Sequence, residues 1–78
     1  MITVGQIKAA RSLLGLKQTE LAADCSVSLA TLNNIERGAV TPRPASLQAI
    51  QHALEALGIE FIDENGGGGP GVRLKKGG

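Results

Sequence analysis

Asn33 and Asn34 stand next to each other inside a stretch that otherwise spaces its apolar residues like a short helix, where each costs about 0.6 kcal/mol relative to alanine. A compact amide projecting from a helix can make a bidentate contact to adenine N6 and N7 in a DNA major groove, or a single bond to a phosphate. Thr31, Gln18 and Lys17 fall on the same exposed side as Asn34. Arg43 sits between Pro42 and Pro44, and the restricted backbone there suits a fixed phosphate contact. The chemistry on offer is non-covalent, a set of donors and acceptors laid out along a surface. An enzyme is not expected, and neither a cofactor nor a metal, because the chain pairs no nucleophile with a base and has neither a metal-spaced cluster nor a phosphate loop. His52 is alone on the outer side of its helix. Glu60, Asp63 and Glu64 border a glycine-rich run without a His or Cys partner and read as a solvated loop.

Such side chains need a rigid frame, and residues 16–38 read as one. Leu21, Ala22 and Cys25 share a helical face, the chain turns at Ser26 and Val27, and Leu32 and Ile35 resume the apolar spacing before Gly38 ends it. Two short helices joined this way are a helix-turn-helix. The second of them has the best-marked start in the chain, with Ser28 as N-cap and Val27 and Leu32 as a hydrophobic staple.

The flanking segments are marked in the same local way. Thr3 with Gln6 forms a capping box and Ile2 with Ile7 a staple, so a first helix should begin near residue 4, bury Val4, Ile7, Ala10 and Leu14, and end at Gly15. Leu16 and Leu21 staple the next helix around Lys17, which offers no acceptor to the free N–H groups, while Glu20 complements the helix dipole. Pro44 opens a fourth helix with the buried stripe Leu47, Ile50, Leu54 and Leu57, and Gly58 caps it. Residues 1–58 are therefore expected to form an all-α, compact bundle of four helices. Residues 59–78 follow as a tail that is either a short β-hairpin or a flexible glycine-rich segment. A lone hairpin is marginal in water, and a second copy of the chain is the simplest partner for it.

A chain of 78 residues makes one domain with a small core, and its net charge of +1 gives no strong basic footprint. The single cysteine, Cys25, excludes an internal disulfide and takes the place of a small apolar residue. Thr, Gln, Lys and Arg in the first turns fit neither a signal peptide nor a membrane span, so the expectation is a soluble cytoplasmic protein with no membrane partner.

The string from Gln18 through Gly38, with Leu16 to Ala22, Val27-Ser28, Ile35-Glu36-Arg37-Gly38 and the closing Ala56-Leu57-Gly58, resembles the lambdoid phage repressor and Cro-like helix-turn-helix proteins, the XRE family of bacterial regulators. The resemblance spans roughly residues 4–58. It implies a lambda repressor-like domain of four or five helices and binding of double-stranded operator DNA, usually as a homodimer. It also implies a third helix in the major groove, with Leu29, Ala30, Thr31 and Asn34 toward the bases. Ser28 and Asn33 join them on the DNA-binding list, Gln18 would anchor the second helix on the DNA backbone, and Lys17, Arg37, Thr41 and Arg43 would meet phosphates. Arg11 and Glu36 match a structural pair bridging the first and third helices. The antitoxin members of the family add a protein partner such as a toxin. Ser26 stands where the turn usually has glycine, at a cost of about 1 kcal/mol if it is left-handed. Leu29 and Ala30 replace polar base readers, though an apolar side chain can meet a thymine methyl. A second expectation, of a different class, is a protein-interaction module that keeps the fold without reading DNA, with Leu29 and Ala30 as part of its contact surface.

Overall fold

Helix ends in this chain are set by neighbours three to five residues away. In the computed structural model, which describes residues 1–76, the elements run α1 (Val4–Leu14), α2 (Gln18–Cys25), α3 (Leu29–Glu36), α4 (Pro44–Ala56), β1 (Ile59–Ile62) and β2 (Gly71–Leu74). The last two positions of the expected tail, 77 and 78, lie outside the described residues. At the start of α1 the Gln6 N–H donates to Thr3 Oγ1 (3.1 Å) and the Thr3 N–H to Gln6 Oε1 (2.8 Å), so two otherwise orphaned donors satisfy each other's side chains. Gly15 closes the helix at φ 63°. Lys17 caps α2 without a side-chain acceptor for the first-turn N–H groups, and only the reciprocal half of a capping box forms, with Glu20 Oε1 accepting the Lys17 N–H at 2.9 Å. Ser28 Oγ accepts the Thr31 N–H at 3.0 Å to open α3, and Pro44 opens α4 at a position that needs no N–H.

The core draws on every helix and on the sheet. Ile7, Leu21, Leu32, Ile35, Ile50, Leu54 and Ile59 are the large side chains wholly removed from water, with Ala10, Ala22 and Cys25 filling between them. Each of the large ones contributes about 2 kcal/mol by burial. Burial pushes the Cys25 thiol up, as a small apolar role requires. Among the described residues no helix is long and apolar enough to cross a membrane.

Of the two forms open to the tail, the structure has the hairpin. β1 and β2 pair antiparallel in the register Ile59 with Leu74, Glu60 with Arg73, Phe61 with Val72 and Ile62 with Gly71. The pair is stabilised within the chain. Phe61 and Val72 pack against the core, and buried Gln6 donates through Nε2 to the Ile62 carbonyl (3.1 Å) and the Gly71 carbonyl (2.8 Å). One buried amide thus ties both strands to α1. The Lys75 N–H adds a bond to the Gly58 carbonyl at 2.7 Å.

Two expectations need correction. Leu57 does not complete the α4 stripe: the helix stops at Ala56, Leu57 leaves helical geometry at ψ 4° and is 42% exposed, and Ile59 fills the core after the chain turns at Gly58. Glu60 is not in a solvated loop. It lies in β1, where its Oε2 accepts from Arg73 Nε at 2.8 Å across the sheet.

Candidate nucleic-acid interface

The α2–α3 unit turns at Ser26, which sits at φ 58°, the left-handed region, and is the one non-glycine residue there among the described residues. The turn therefore keeps the geometry a glycine would give it, at about 1 kcal/mol of backbone strain. Val27 then enters the core margin and Ser28 starts α3, so the direction of this helix is fixed within three residues.

A buried polar node holds α3 from behind. Glu36 Oε2 accepts from Arg11 Nε at 2.9 Å and Glu36 Oε1 from Arg11 Nη2 at 2.7 Å, a bidentate fork between α1 and α3. Arg11 Nη1 also donates to the Leu16 carbonyl at 3.0 Å, so the same guanidinium ties down the α1–α2 connection. Gln18 Nε2 donates to Glu36 Oε1 at 3.1 Å and brings α2 into the node. Burial raises the Glu36 carboxyl, but the hydrogen bonds from Arg11 and Gln18 and the charges of Arg11 and Lys8 outweigh it and hold the group below its ordinary value. The Glu36 hydrogen bond is in turn the main reason the Arg11 guanidinium is held more firmly protonated.

Opposite this node lies a groove lined by Thr31 and Asn34 of α3, by Val40, Thr41, Pro42 and Arg43 of the α3–α4 loop, and by Ser46. Four of the residues expected to meet DNA are thereby brought together: Thr31, Asn34, Thr41 and Arg43. Arg37 joins them indirectly, since its Nη2 donates to Asn34 Oδ1 at 2.9 Å. Ser28, Leu29 and Ala30 are exposed at the N-terminal end of α3, and Lys17 is exposed at the start of α2. Asn33 is half-buried and does not line the groove, and Gln18 is half-buried with its amide on Glu36. Val40 was not singled out by its sequence, yet it is 46% exposed on the groove wall. The signal for it was a β-branched apolar residue in a short loop, next to Thr41, with no helical or strand periodicity to assign it to a core.

The surface combines hydroxyl, amide and guanidinium groups with the exposed apolar side chains of Leu29 and Val40. Such a face can exchange hydrogen bonds with base edges and phosphates. Among the described residues no group of three or more His, Cys, Asp or Glu is placed to hold a metal.

No curated protein is similar enough to the chain to count as a match. A family model described as helix-turn-helix matches residues 7–62, from within α1 to the end of β1. The match covers most of the chain and includes the two short helices around the left-handed turn, and the protein belongs to the XRE-type, lambda repressor-like helix-turn-helix family of DNA-binding transcriptional regulators.

Proposed function

We propose that this protein is a sequence-specific regulator, repressor-like in action, that binds a two-fold symmetric operator as a homodimer with one α3 in the major groove of each half-site. The observation that carries the reading is the groove shared by Thr31, Asn34, Thr41 and Arg43 on the side of α3 opposite its anchor to Arg11. In this arrangement Leu29 and Ala30 meet thymine methyl groups, while Thr31 and Asn34 meet base edges. Lys17, Thr41 and Arg43 neutralise or bond phosphates, with Ser28, Gln18 and Asn33 at the margin of the contact. With few polar base readers, specificity leans on methyl contacts, DNA shape and half-site spacing. Control by its abundance or by a protein partner, as in a toxin–antitoxin pair, fits this reading.

A salt titration of binding to an enriched duplex tests this. Lys17 and Arg43 supply two cations per subunit, so a dimer releases about four counterions and log K should fall with log salt at a slope of about −4. Asn34→Ala should relax the preference for one site, whereas Arg43→Ala should weaken all duplexes alike. Unchanged binding in both variants, measured in competition with random-sequence DNA, would sink the docking. Leu29 and Val40, 45% and 46% exposed, favour one second reading, a protein-interaction face on the same fold. Its mark would be a protein complex insensitive to salt and no enriched duplex.

A further inference from the structure

Arg37 Nη2 lies 2.9 Å from Asn34 Oδ1. A guanidinium carries donors only, so the atom turned toward it is the amide oxygen, and the orientation of the Asn34 amide follows from chemistry. Its Nδ2, with two hydrogens, is turned elsewhere. One turn earlier Thr31 Oγ1 accepts from Ser28 Oγ at 2.8 Å, which directs the hydrogen of Thr31 away from Ser28. Arg37 is exposed and has no carboxylate partner among the described residues, so its remaining N–H groups are uncommitted.

We propose that Asn34 and Arg37 act as one hydrogen-bonded reading unit that presents donors to the major groove and selects guanine. This rests on the DNA-reading assignment above and names the base that it reads. Guanine offers two acceptors on its major-groove edge, N7 and O6, and a set of donors satisfies both. Adenine offers one acceptor and one donor. Its N6 group needs the Asn34 oxygen, which already holds a charge-assisted bond from Arg37, so adenine must compete with a cation for that atom. Asparagine alone on a recognition helix favours adenine, and Arg37 reverses the preference. Arg37 is then a base-specificity residue rather than one more phosphate contact.

The test is selection of bound duplexes from a random pool by the full chain and by Asn34→Ala and Arg37→Ala, each first checked for an unchanged thermal melt. The expected result is a guanine at one position of each half-site, with the preference at that position lost in both variants. Replacing that guanine by 7-deazaguanine, which removes the N7 acceptor, should weaken the parent roughly tenfold and leave Arg37→Ala nearly unaffected. An enriched site with adenine at the position lost in Asn34→Ala would overturn the unit. So would an Arg37→Ala protein that binds all duplexes more weakly but keeps every preference. Both outcomes leave the regulator reading intact, whereas no enriched site for the parent would overturn both.

Discussion

Replacing Glu36 by alanine removes the acceptor on which α1, α2 and α3 converge. The side chain is 4% exposed and takes two bonds from Arg11 and one from Gln18, while Arg11 is 25% exposed and keeps only the Leu16 carbonyl once the carboxylate is gone. Stranding one member of a fully buried pair costs about 3–5 kcal/mol. Arg11 can regain water on its open side, so the expected loss is about 2–3 kcal/mol. A domain of this size has a total stability of about 4–12 kcal/mol. The midpoint of thermal unfolding, followed by circular dichroism at neutral pH, should therefore fall by about 10–20 °C. Glu36→Gln keeps an acceptor without the charge and should lie between parent and alanine. The double variant Arg11→Met, Glu36→Leu should recover part of the loss, because no charge is then left without a partner.

The same node sets a pH dependence whose sign is determined. The folded carboxyl titrates below its unfolded value of about 4.3, so the stabilisation it provides is complete above that pH and disappears as the pH falls through the lower folded value. Glu36→Gln should lack this part of the acid sensitivity. A loss below about 0.5 kcal/mol for Glu36→Ala, the range of an ordinary surface change, would refute the assignment of the node as the brace of α3. An acid profile for Glu36→Gln identical to the parent's would refute the charge-dependent part.

Ser26→Gly removes a side chain from a left-handed position on the surface, and after the extra freedom of glycine in the unfolded chain is subtracted it should gain up to about 0.5 kcal/mol. Urea unfolding reads this as a higher midpoint at constant slope, and a lower midpoint would mean that the Ser26 side chain contributes something its geometry does not reveal. Gln6→Ala removes both bonds that tie the hairpin strands to α1, at about 1–3 kcal/mol, and its effect should be local. Amide exchange at Phe61 and Val72 should accelerate more than at Leu21; equal acceleration everywhere would show that the hairpin and the bundle unfold as one unit.

The helices were legible because their signals are local. Thr3 with Gln6, Gly15, Ser28 with Thr31, and Pro44 each act within a few residues, and the structure has a helix end at each of them. The helix-turn-helix was legible for the same reason, since Val27, Leu32 and Ile35 carry a periodicity that a single segment can display. Leu57 misled because a stripe spaced by three and four residues predicts a face only while the helix continues, and here it had already ended. Val40 carried no periodic signal at all. The hairpin could not be separated from a loose tail, because what decides it is not within the hairpin.

Residue types and short spacings determined where each helix starts, which faces are apolar, and that α2, the turn and α3 form a motif suited to a DNA groove. The family resemblance had already named the Arg11–Glu36 brace, while tertiary structure alone decided that Gln18 and the Leu16 carbonyl join it and what completes the core. Gln6 finds its acceptors 56 and 65 positions along the chain, and Gln18 and Arg11 meet on a carboxylate 18 and 25 positions away. A capping bond is closed by the helix it begins, so the sequence around it suffices. A bond between segments exists only once the core has brought them together. The pairing of Asn34 with Arg37 lies between the two cases: its three-residue spacing was visible, but the amide oxygen was assigned only when the folded side chains met.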